Sequence, residues 1–277
     1  MLKIDSHQHF WKYEESMSDW ITPDMAVIRR DFMPEDLAPI LKESGIDGCV
    51  VVQVNQSEEE NLFQLNNANS NEFIKGVVGW VDLQAADVSE QLEKLSHYTK
   101  LKGFRHILQG EQDRALMLKP AFLKGIKALA KHDFTYDILI YSDQLMYVPE
   151  LVSQFPDQRF VIDHIAKPDI KAGNMVDWSA GIKALQTFDN LFCKVSGMVT
   201  EANWTDWKAE DFDPYLDVIF ETFGSKRLMF GSDWPVCLTA GEYKDVASIA
   251  GNYVDKLTTN EQSLFWGGSA MEFYNLN

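Results

Sequence analysis

The most constraining feature of this sequence is an alternation, repeated eight times, between a short apolar run and a longer amphipathic segment. The runs are four to eight residues long and rich in Val, Ile, Leu and Phe, a composition that favours buried strands. They are Leu2–Ser6, Gly48–Val54, Ile74–Val81, Gly103–Ile107, Tyr136–Tyr141, Arg159–Asp163, Leu191–Val195 and Arg227–Phe230. Strands that alternate with helices along a chain build a parallel sheet.

Helix signals fall between the predicted strands. The segment Pro34–Ser44 places apolar residues at helical spacing and is followed by Gly45, a stop signal. Ser57 and Glu60 are spaced as a capping box, which predicts the start of the second helix. Further helices are expected near Val88–Tyr98, Pro120–Lys131, Gln144–Phe155, Trp178–Phe188, Pro214–Phe223, Glu242–Tyr253 and Asn260–Tyr274.

Eight strand–helix units in 277 residues predict a (β/α)8 barrel, which typically needs about 250 residues. A doubly wound sheet is the second choice, but no Gly-rich phosphate turn follows the first strand. The chain contains no repeat, low-complexity linker or composition break, so we expect one domain over residues 1–277. Residues 11–33 lack periodicity and predict a loop insertion, and Trp11 and Trp20 within it favour a cover over a site.

Charge and cysteine content limit the partners and the compartment. Lys and Arg total 25 against 42 Asp and Glu, a net charge of −17 that repels nucleic acid and anionic membrane surfaces. No apolar run approaches the roughly 20 residues of a membrane span. Three widely spaced cysteines form no CxxC pair, so we expect no disulfide framework and a cytoplasmic location. The oligomeric state stays open, and a homo-oligomer is among the states allowed.

Polar residues collect where the predicted strands end, and catalytic groups of such barrels project from those ends. Four of the six histidines lie there, whereas His97 and His132 fall on predicted helices and are expected to be surface or capping residues. In strand order the polar and aromatic residues are His7 and His9; Gln53 and Asn55; Trp80 and Asp82; Arg105 and His106; Asp163, His164 and Lys167; Lys194 and Ser196; Asp233 and Trp234.

Four of these residues form the predicted catalytic group. His7 and His9 point the same way in an extended segment, but a lone HxH pair is weak because histidines are common near strand ends. With His164 and Asp233 the pair makes a plausible zinc shell of nitrogen and oxygen donors. Asp233 in GSDWP also fits a turn, and its place directly after the last strand favours function.

The predicted substrate-binding residues follow from the same strand ends. Arg105 lies in an apolar strand, and a buried guanidinium must be paired with protein or with a substrate oxygen. Lys167 fits a loop residue without a functional role equally well. Tryptophan rings more often pack in the core than stack on a bound sugar. The complete predicted set is Gln53, Arg105, His106, Lys167, Ser196, Trp11, Trp80 and Trp234.

Five motifs occur in one order along the chain, namely IDSHQHFW, GFRHILQ, VIDHIAKP, KVSG and RLMFGSDWP. Together they closely resemble the amidohydrolase superfamily, and within it the branch that contains sugar-lactone hydrolases such as L-fuconolactonase and L-rhamnonolactonase. The resemblance covers nearly the whole chain. It implies a (β/α)8 barrel with His7 and His9 in the strand-one motif, His164 as the strand-six histidine and Asp233 as the strand-eight aspartate.

The sequence departs from this pattern at strand five. Metal-dependent members of the superfamily often have a histidine ending that strand, and here the region reads YDILIYSDQ. A complete binuclear centre is therefore not expected. The resemblance implies one divalent cation, with zinc as the first choice, held by His7, His9, His164 and Asp233, or a site that works without metal.

Lactone hydrolysis is the activity that the resemblance implies, and the residues of the site allow it. Asp233 is expected to take a proton from water as general base, while the histidines hold a Lewis-acidic ion or donate directly with Arg105. The residues predict a neutral sugar lactone as substrate, and the resemblance implies one of the L-fucono or L-rhamnono type. Three alternatives stay open: a 2-pyrone-4,6-dicarboxylate lactonase, a metal-dependent decarboxylase, and a sugar-binding protein without catalysis. The first would bind the two carboxylates of its substrate through cationic side chains, including Arg29 and Arg30.

Overall fold

The structure, a computed structural model, describes residues 2–276 and is built around one sheet of eight parallel strands. Each strand pairs with its neighbours in sequence order, from the first to the eighth. The strands are β1 Ile4–Gln8, β2 Gly48–Val52, β3 Ile74–Gly79, β4 Leu101–His106, β5 Thr135–Ile138, β6 Phe160–Ile162, β7 Leu191–Val195 and β8 Leu228–Phe230.

The two outer strands meet and close the sheet. The hydroxyl of Ser6 in β1 donates to the carbonyl of Phe230 in β8 at 2.6 Å. Just past β8, Asp233 N donates to the carbonyl of His7 in β1 at 2.8 Å, and just past β1, His9 N donates to the carbonyl of Trp234 at 2.7 Å. The predicted (β/α)8 barrel is confirmed, and the doubly wound alternative is wrong.

Helices surround the barrel, and the first of them has the predicted bounds. They are α1 Pro34–Ser44, α2 Glu58–Ser70, α3 Val88–Leu95, α4 Pro120–Leu129, α5 Val148–Ser153, α6 Val176–Lys183, α7 Asp213–Phe223, α8 Tyr243–Val254, α9 Thr259–Ser263 and α10 Ser269–Phe273. The single helix expected near 260–274 is divided by a π-helical turn at Leu264–Gly268. Gly267 in that turn packs against the backbone of Leu2, where no side chain would fit.

The capping box predicted for α2 is half right. Ser57 caps the helix, because its hydroxyl accepts from Glu60 N at 3.3 Å. The Glu60 carboxylate does not return to Ser57 and accepts instead from Val54 N at 2.5 Å and Asn55 N at 2.6 Å. These two amides lie just past β2 and have no strand partner there. Glu60 therefore fixes the loop that leads from β2 towards the carboxyl end of the barrel.

Residues 11–33 form an irregular segment anchored at both ends. Trp11 and Phe32 pair antiparallel, with both backbone hydrogen bonds at 2.9 Å. The Phe32 ring packs edge-to-face on Trp11, with ring centroids 5.4 Å apart, and on Trp234 beyond β8, at 5.2 Å. Aromatic pairs in this geometry are stabilising beyond their buried area. The segment is thus held against the carboxyl end of the barrel.

The three cysteines are buried and form no disulfide, as predicted. Within residues 2–276, no helix combines the length and apolarity needed to cross a bilayer.

Candidate functional site

The carboxyl ends of the strands open into a cavity of about 410 Å³. Six of the predicted site residues line it, namely His9, Trp11, Arg105, His164, Lys167 and Asp233. Trp20 of the 11–33 segment also lines the cavity, so this segment forms part of the cavity wall.

The carboxylate of Asp233 is the centre of the cavity floor. Its Oδ1 atom lies 3.3 Å from Nε2 of His9, 3.8 Å from Nε2 of His164 and 3.9 Å from Nε2 of His7. Asp233 has a left-handed backbone, with φ of 58°, and its amide is held by the His7 carbonyl. The turn after β8 therefore places the carboxylate over three imidazoles that arrive from β1 and β6.

The second ring nitrogens of two of these histidines are held by the barrel. Nδ1 of His9 lies 2.8 Å from the carbonyl of Val52. A carbonyl only accepts, so Nδ1 carries a hydrogen and Nε2 is the ring nitrogen that faces Asp233. Nδ1 of His164 lies 2.9 Å from the Ser196 hydroxyl, which fixes the orientation of that ring.

His164 begins a strained turn. Four successive non-glycine residues, His164 to Lys167, have left-handed φ values of 55°, 47°, 60° and 45°, each costing roughly 1–2 kcal/mol. The turn is held by Lys167 N on the His164 carbonyl and by the Trp178 indole on the Ile165 carbonyl, both at 2.8 Å. Such strain persists only where surrounding contacts over-determine it, and here it directs both His164 and Lys167 to the cavity.

Two glycines make room for the histidines. A Cβ atom at Gly197 would lie 2.6 Å from Nδ1 of His164, and the backbone there has φ of 65°. A Cβ atom at Gly231 would lie 2.7 Å from Cβ of His7. Both positions therefore require glycine for close approach, and these contacts were not foreseen from the sequence.

Arg105 is paired within the protein beneath the cavity. Its Nη1 donates to Oδ2 of Asp163 at 3.1 Å and lies 3.2 Å from Nε2 of His7. Its Nη2 donates to the backbone carbonyl of Gln53 and to Oε1 of the same side chain at 3.0 Å. The guanidinium thus joins β2, β4 and the end of β6 while one side faces the cavity.

Lys194 is fully buried and forms the other half of this charge network. Its Nζ lies 2.5 Å from Oδ2 of Asp137, 3.0 Å from Oδ1 of Asp163 and 3.2 Å from Nδ1 of His7. The Tyr274 hydroxyl donates to Oδ2 of Asp137 at 2.7 Å. Asp137 and Tyr274 were missed in the sequence. An acid inside the apolar run YDILIY was the available signal for Asp137, and Tyr274 gave none.

Burial and charge set the protonation of the site. Burial lowers the pKa of His7 and of His164 well below its usual range, although Asp163 and Asp233 respectively oppose this. Burial raises the pKa of Asp233, but His164 and His9 outweigh it and the pKa lies below its ordinary value. At neutral pH the imidazoles of His7 and His164 are therefore neutral beside an ionised Asp233 carboxylate, the arrangement of a base and of metal ligands.

Five predicted substrate contacts lie away from the cavity lining. Gln53 and Ser196 are fully buried, where they hold Arg105 and His164. Trp234 is buried in the aromatic cluster with Phe32. The other two are His106, whose Nε2 is 2.7 Å from Glu111, and Trp80, whose backbone bonds the Asn61 side chain. None of the five lines the cavity, and contact with substrate stays a prediction for each of them.

Loops supply cavity residues that strand-end reasoning could not identify. Gln56 and Gln109 present amides, whereas Ile107, Leu139 and Val236 form apolar wall. Leu139 directly follows β5, the strand at which a histidine was noted to be missing. The wall near strand five is therefore apolar.

The donor geometry fits a single divalent ion. Ligand atoms of His7, His164 and Asp233 lie within 4.8 Å of one another, and all three residues are buried. Zinc ligands at 2.0–2.2 Å in a tetrahedron are about 3.3–3.6 Å apart, close to the 3.3–3.9 Å between Asp233 Oδ1 and the three imidazoles. These residues could hold a metal ion.

Comparisons with known proteins agree with this geometry. A family model described as amidohydrolase matches residues 4–276. An L-fucono-1,5-lactonase of Burkholderia multivorans is 37% identical over 286 residues, covering 99% of this chain and 96% of the relative. An L-fucono-1,5-lactonase of Burkholderia ambifaria is 33% identical over 279 residues, with the same coverage. The crystal structure of a B. multivorans amidohydrolase with bound zinc has a TM-score of 0.96 at 37% identity, covering 100% of both chains.

Two more distant structures are similar in fold alone. A probable 2-pyrone-4,6-dicarboxylic acid hydrolase from Acinetobacter baumannii has a TM-score of 0.80 at 19% identity, covering 99% of this chain and 100% of that one. A dihydroxybenzoic acid decarboxylase from a Polaromonas species has a TM-score of 0.70 at 13% identity, covering 99% and 97%. With a family match over almost its whole length, the chain belongs to the amidohydrolase family.

Proposed function

We propose that this protein hydrolyses the ester bond of a sugar lactone, with a lactone of the L-fucono-1,5 type as its substrate. The observation that carries the proposal is the Asp233 carboxylate on the cavity floor, with three imidazole nitrogens 3.3–3.9 Å from its Oδ1 atom. The lactonases of B. multivorans and B. ambifaria support the substrate class.

Asp233 is the general base of the proposed reaction. Its carboxylate takes a proton from a water molecule as the water oxygen attacks the lactone carbonyl carbon. When the ring C–O bond breaks, the same carboxyl returns the proton to the leaving ring oxygen. Water and lactone thus become the open hydroxy acid, and the carboxylate is regenerated.

Negative charge develops on the carbonyl oxygen, and the cavity wall carries two cations for it. Arg105 and Lys167 both line the cavity, and donors aimed at a developing oxyanion are worth several kcal/mol of barrier in a water-poor site. The Lys167 ammonium lies 3.4 Å from Glu201, a contact that holds it while leaving further N–H groups free to donate.

A divalent ion fits this site, and zinc is the first choice because the B. multivorans structure contains it. His7, His164 and Asp233 would hold it, with His9 alongside. When bound, the ion would supply Lewis acidity to the carbonyl and lower the pKa of water. The proposed steps at Asp233 proceed with or without it, because a lactone is already activated relative to an amide.

The wall of the cavity fits a deoxy-sugar ring. Asn55, Gln56 and Gln109 offer amides to ring hydroxyls, while Ile107 and Leu139 offer an apolar surface to a methyl group. Amphipathic ligands of this kind are oriented by a few polar groups in an otherwise apolar pocket.

A lactone panel tests the proposal. Purified protein, with and without added Zn²⁺, is assayed against L- and D-aldonolactones with a pH indicator, after subtraction of spontaneous hydrolysis. We expect acid release above the blank for L-fucono-1,5-lactone or a close stereoisomer. No release from any sugar lactone under either condition would reject the proposal.

The dicarboxylate alternative is weaker because its extra cations are occupied elsewhere. Arg29 donates to the carbonyl of Ile21 at 2.8 Å, and Arg30 stacks on Phe32 at 3.8 Å from the ring centroid. Neither lines the cavity, so a dianion would find only cations already paired with carboxylates. A decarboxylase would release CO₂, which headspace detection in the same assay distinguishes.

We also place the protein in the cytoplasm and in sugar breakdown. Three free thiols support a reducing compartment. The product of the proposed reaction is an aldonic acid, so a step that oxidises an aldose must precede it. Thiol labelling of unfolded protein taken directly from cells should find all three cysteines reduced.

A further inference from the structure

Asp5 is a buried carboxylate that the proposed reaction does not use. It lies in β1, two residues before His7, and its side chain is fully buried. Oδ1 accepts from Ser232 N at 2.9 Å and from His7 N at 3.2 Å. Oδ2 accepts from Ser232 Oγ at 2.6 Å and from the Tyr243 hydroxyl at 3.1 Å. A carboxylate has about four acceptor sites, so these four donors occupy the whole group.

Two of these hydrogen bonds hold the turn that carries Asp233. Ser232 directly precedes Asp233, and both its amide and its hydroxyl donate to Asp5. The same hydroxyl accepts from Trp234 N at 3.0 Å, so the residues on both sides of Asp233 are tied to one carboxylate of β1. Asp233 itself has a left-handed φ of 58°. That conformation is unfavourable for a residue with a side chain and persists only where neighbouring contacts enforce it.

The side chains of Asp5 and His7 lie on opposite faces of the sheet. Asp5 bonds Tyr243 at the start of α8, one of the helices around the barrel. Nδ1 of His7 lies 3.2 Å from Nζ of Lys194 in β7. Because β7 is not a neighbour of β1 in the sheet, this approach runs through the barrel interior. In a regular strand, side chains at i and i+2 face the same way, so β1 is irregular here.

The irregularity is one extra residue in β1. Asp5 pairs with Cys49 and Gln8 pairs with Val51, so three steps along β1 match two along β2. An extra residue of this kind re-aims the side chains beside it and is frequent next to active sites. Asp5 Oδ1 accepts from His7 N within the irregular stretch. The carboxylate therefore stabilises the local backbone that directs His7 inward.

We propose that Asp5 is a positioning residue of the hydrolytic site. From the helix side of β1 it fixes both the turn that presents Asp233 and the strand irregularity that presents His7. Asp5 does not line the cavity and contributes no atom to the proposed steps. The proposal rests on the proposed function only in taking Asp233 to be the general base.

Two variants weaken this anchor, and a third is their matched control. Ser232→Ala removes the hydroxyl that joins Asp5 to Trp234 N and leaves the net charge unchanged. Asp5→Asn keeps the size of the side chain and replaces one acceptor oxygen with a donor. Ser269→Ala is the control, because Ser269 is also fully buried and its hydroxyl lies 3.0 and 3.1 Å from two backbone carbonyls. Those carbonyls precede β8, at the end of the strand opposite to the site.

Crystal structures of the wild type and the three variants, without substrate, read the position of Asp233 directly. In the wild type we expect Oδ1 of Asp233 to lie 3.3 Å from Nε2 of His9. In Ser232→Ala and Asp5→Asn we expect the carboxylate to move by about 1 Å, a displacement large enough to lower a rate strongly. Ser269→Ala should leave it in place.

Kinetics on the best lactone of the panel, with thermal unfolding of each variant, separate positioning from loss of folding. We expect kcat to fall by about 100-fold in Ser232→Ala and Asp5→Asn with KM within about threefold of the wild type. Ser269→Ala should lower the melting temperature and keep kcat.

An Asp233 carboxylate that stays in place in folded Ser232→Ala would overturn the proposal, as would an equal loss of kcat in Ser269→Ala. A displaced carboxylate with wild-type kcat would instead reject Asp233 as the general base. Protein that opens no lactone would reject the proposed function, and the crystal structures would still decide whether Asp5 positions Asp233.

Discussion

Gly197→Ala gives the sharpest test of how the backbone positions His164. The new Cβ atom would lie 2.6 Å from Nδ1, 2.7 Å from Cγ and 2.9 Å from Cβ of His164, on a backbone with φ of 65°. Ordinary contacts are near 3.4–4 Å, so the imidazole must move by about 1 Å, a displacement that can cost on the order of 100-fold in rate.

Gly173→Ala is the matched control for this change. Gly173 has φ of 69°, and nothing lies within 4 Å of a Cβ atom built there. Both substitutions carry the left-handed backbone cost of roughly 1–2 kcal/mol, which lowers the melting temperature by about 2–8 °C in a chain of this size. Only Gly197→Ala also displaces an imidazole of the site.

The assay is lactone opening at saturating and at limiting substrate, together with thermal unfolding of both variants. We expect both variants to lose melting temperature, Gly197→Ala the more because of its clash with His164. We expect a roughly 100-fold loss of kcat/KM in Gly197→Ala only. The reasoning would be refuted if Gly197→Ala kept kcat/KM within about threefold of the wild type, or if Gly173→Ala lost as much.

Two further predictions concern stability and substrate binding. Burial raises the pKa of Asp137 to about 6, with Lys194 opposing, so the folded state binds this proton more tightly than the unfolded chain. The free energy of unfolding of the wild type minus that of Asp137→Asn should therefore fall as pH rises from about 4 to 6, by up to about 1.4 kcal/mol per pH unit, and stay level above pH 6. Denaturant unfolding at four pH values measures this difference. A difference that rises with pH would contradict the prediction. Trp20 is 37% exposed and lines the cavity, so Trp20→Ala should raise KM by about 2–12-fold with little change in kcat. The control Trp204→Ala, outside the cavity, should change neither constant. A fall in kcat with constant KM in Trp20→Ala would contradict the placement of Trp20 in the wall of the binding site.

The architecture was predictable because the barrel strands are buried and read as apolar runs. The residues at which the strands and helices end were less predictable. The run Tyr136–Tyr141 predicts six strand residues, but β5 ends at Ile138 because the next residue, Leu139, turns into the cavity wall. The helix expected near 260–274 is interrupted because Gly267 packs on the backbone of Leu2. Both differences depend on residues distant in sequence.

The floor of the site was predictable for a related reason. His7, His9, His164 and Asp233 follow strands whose carboxyl ends must meet in a barrel, and the structure brings them together. Gln53 and Ser196 looked the same in sequence, yet they are buried as partners of Arg105 and His164. Whether a strand-end residue faces the cavity or its neighbour depends on register and local twist, which the apolar pattern does not encode.

Replacement of Asp233 by Asn tests the central claim most directly, because it removes the base and keeps the shape of the side chain. On L-fucono-1,5-lactone, or the best substrate of the panel, we predict a fall in kcat of about 10²–10⁴-fold, with retained folding and substrate binding. A variant that opened the lactone at nearly the wild-type rate would contradict the assignment of Asp233 as general base.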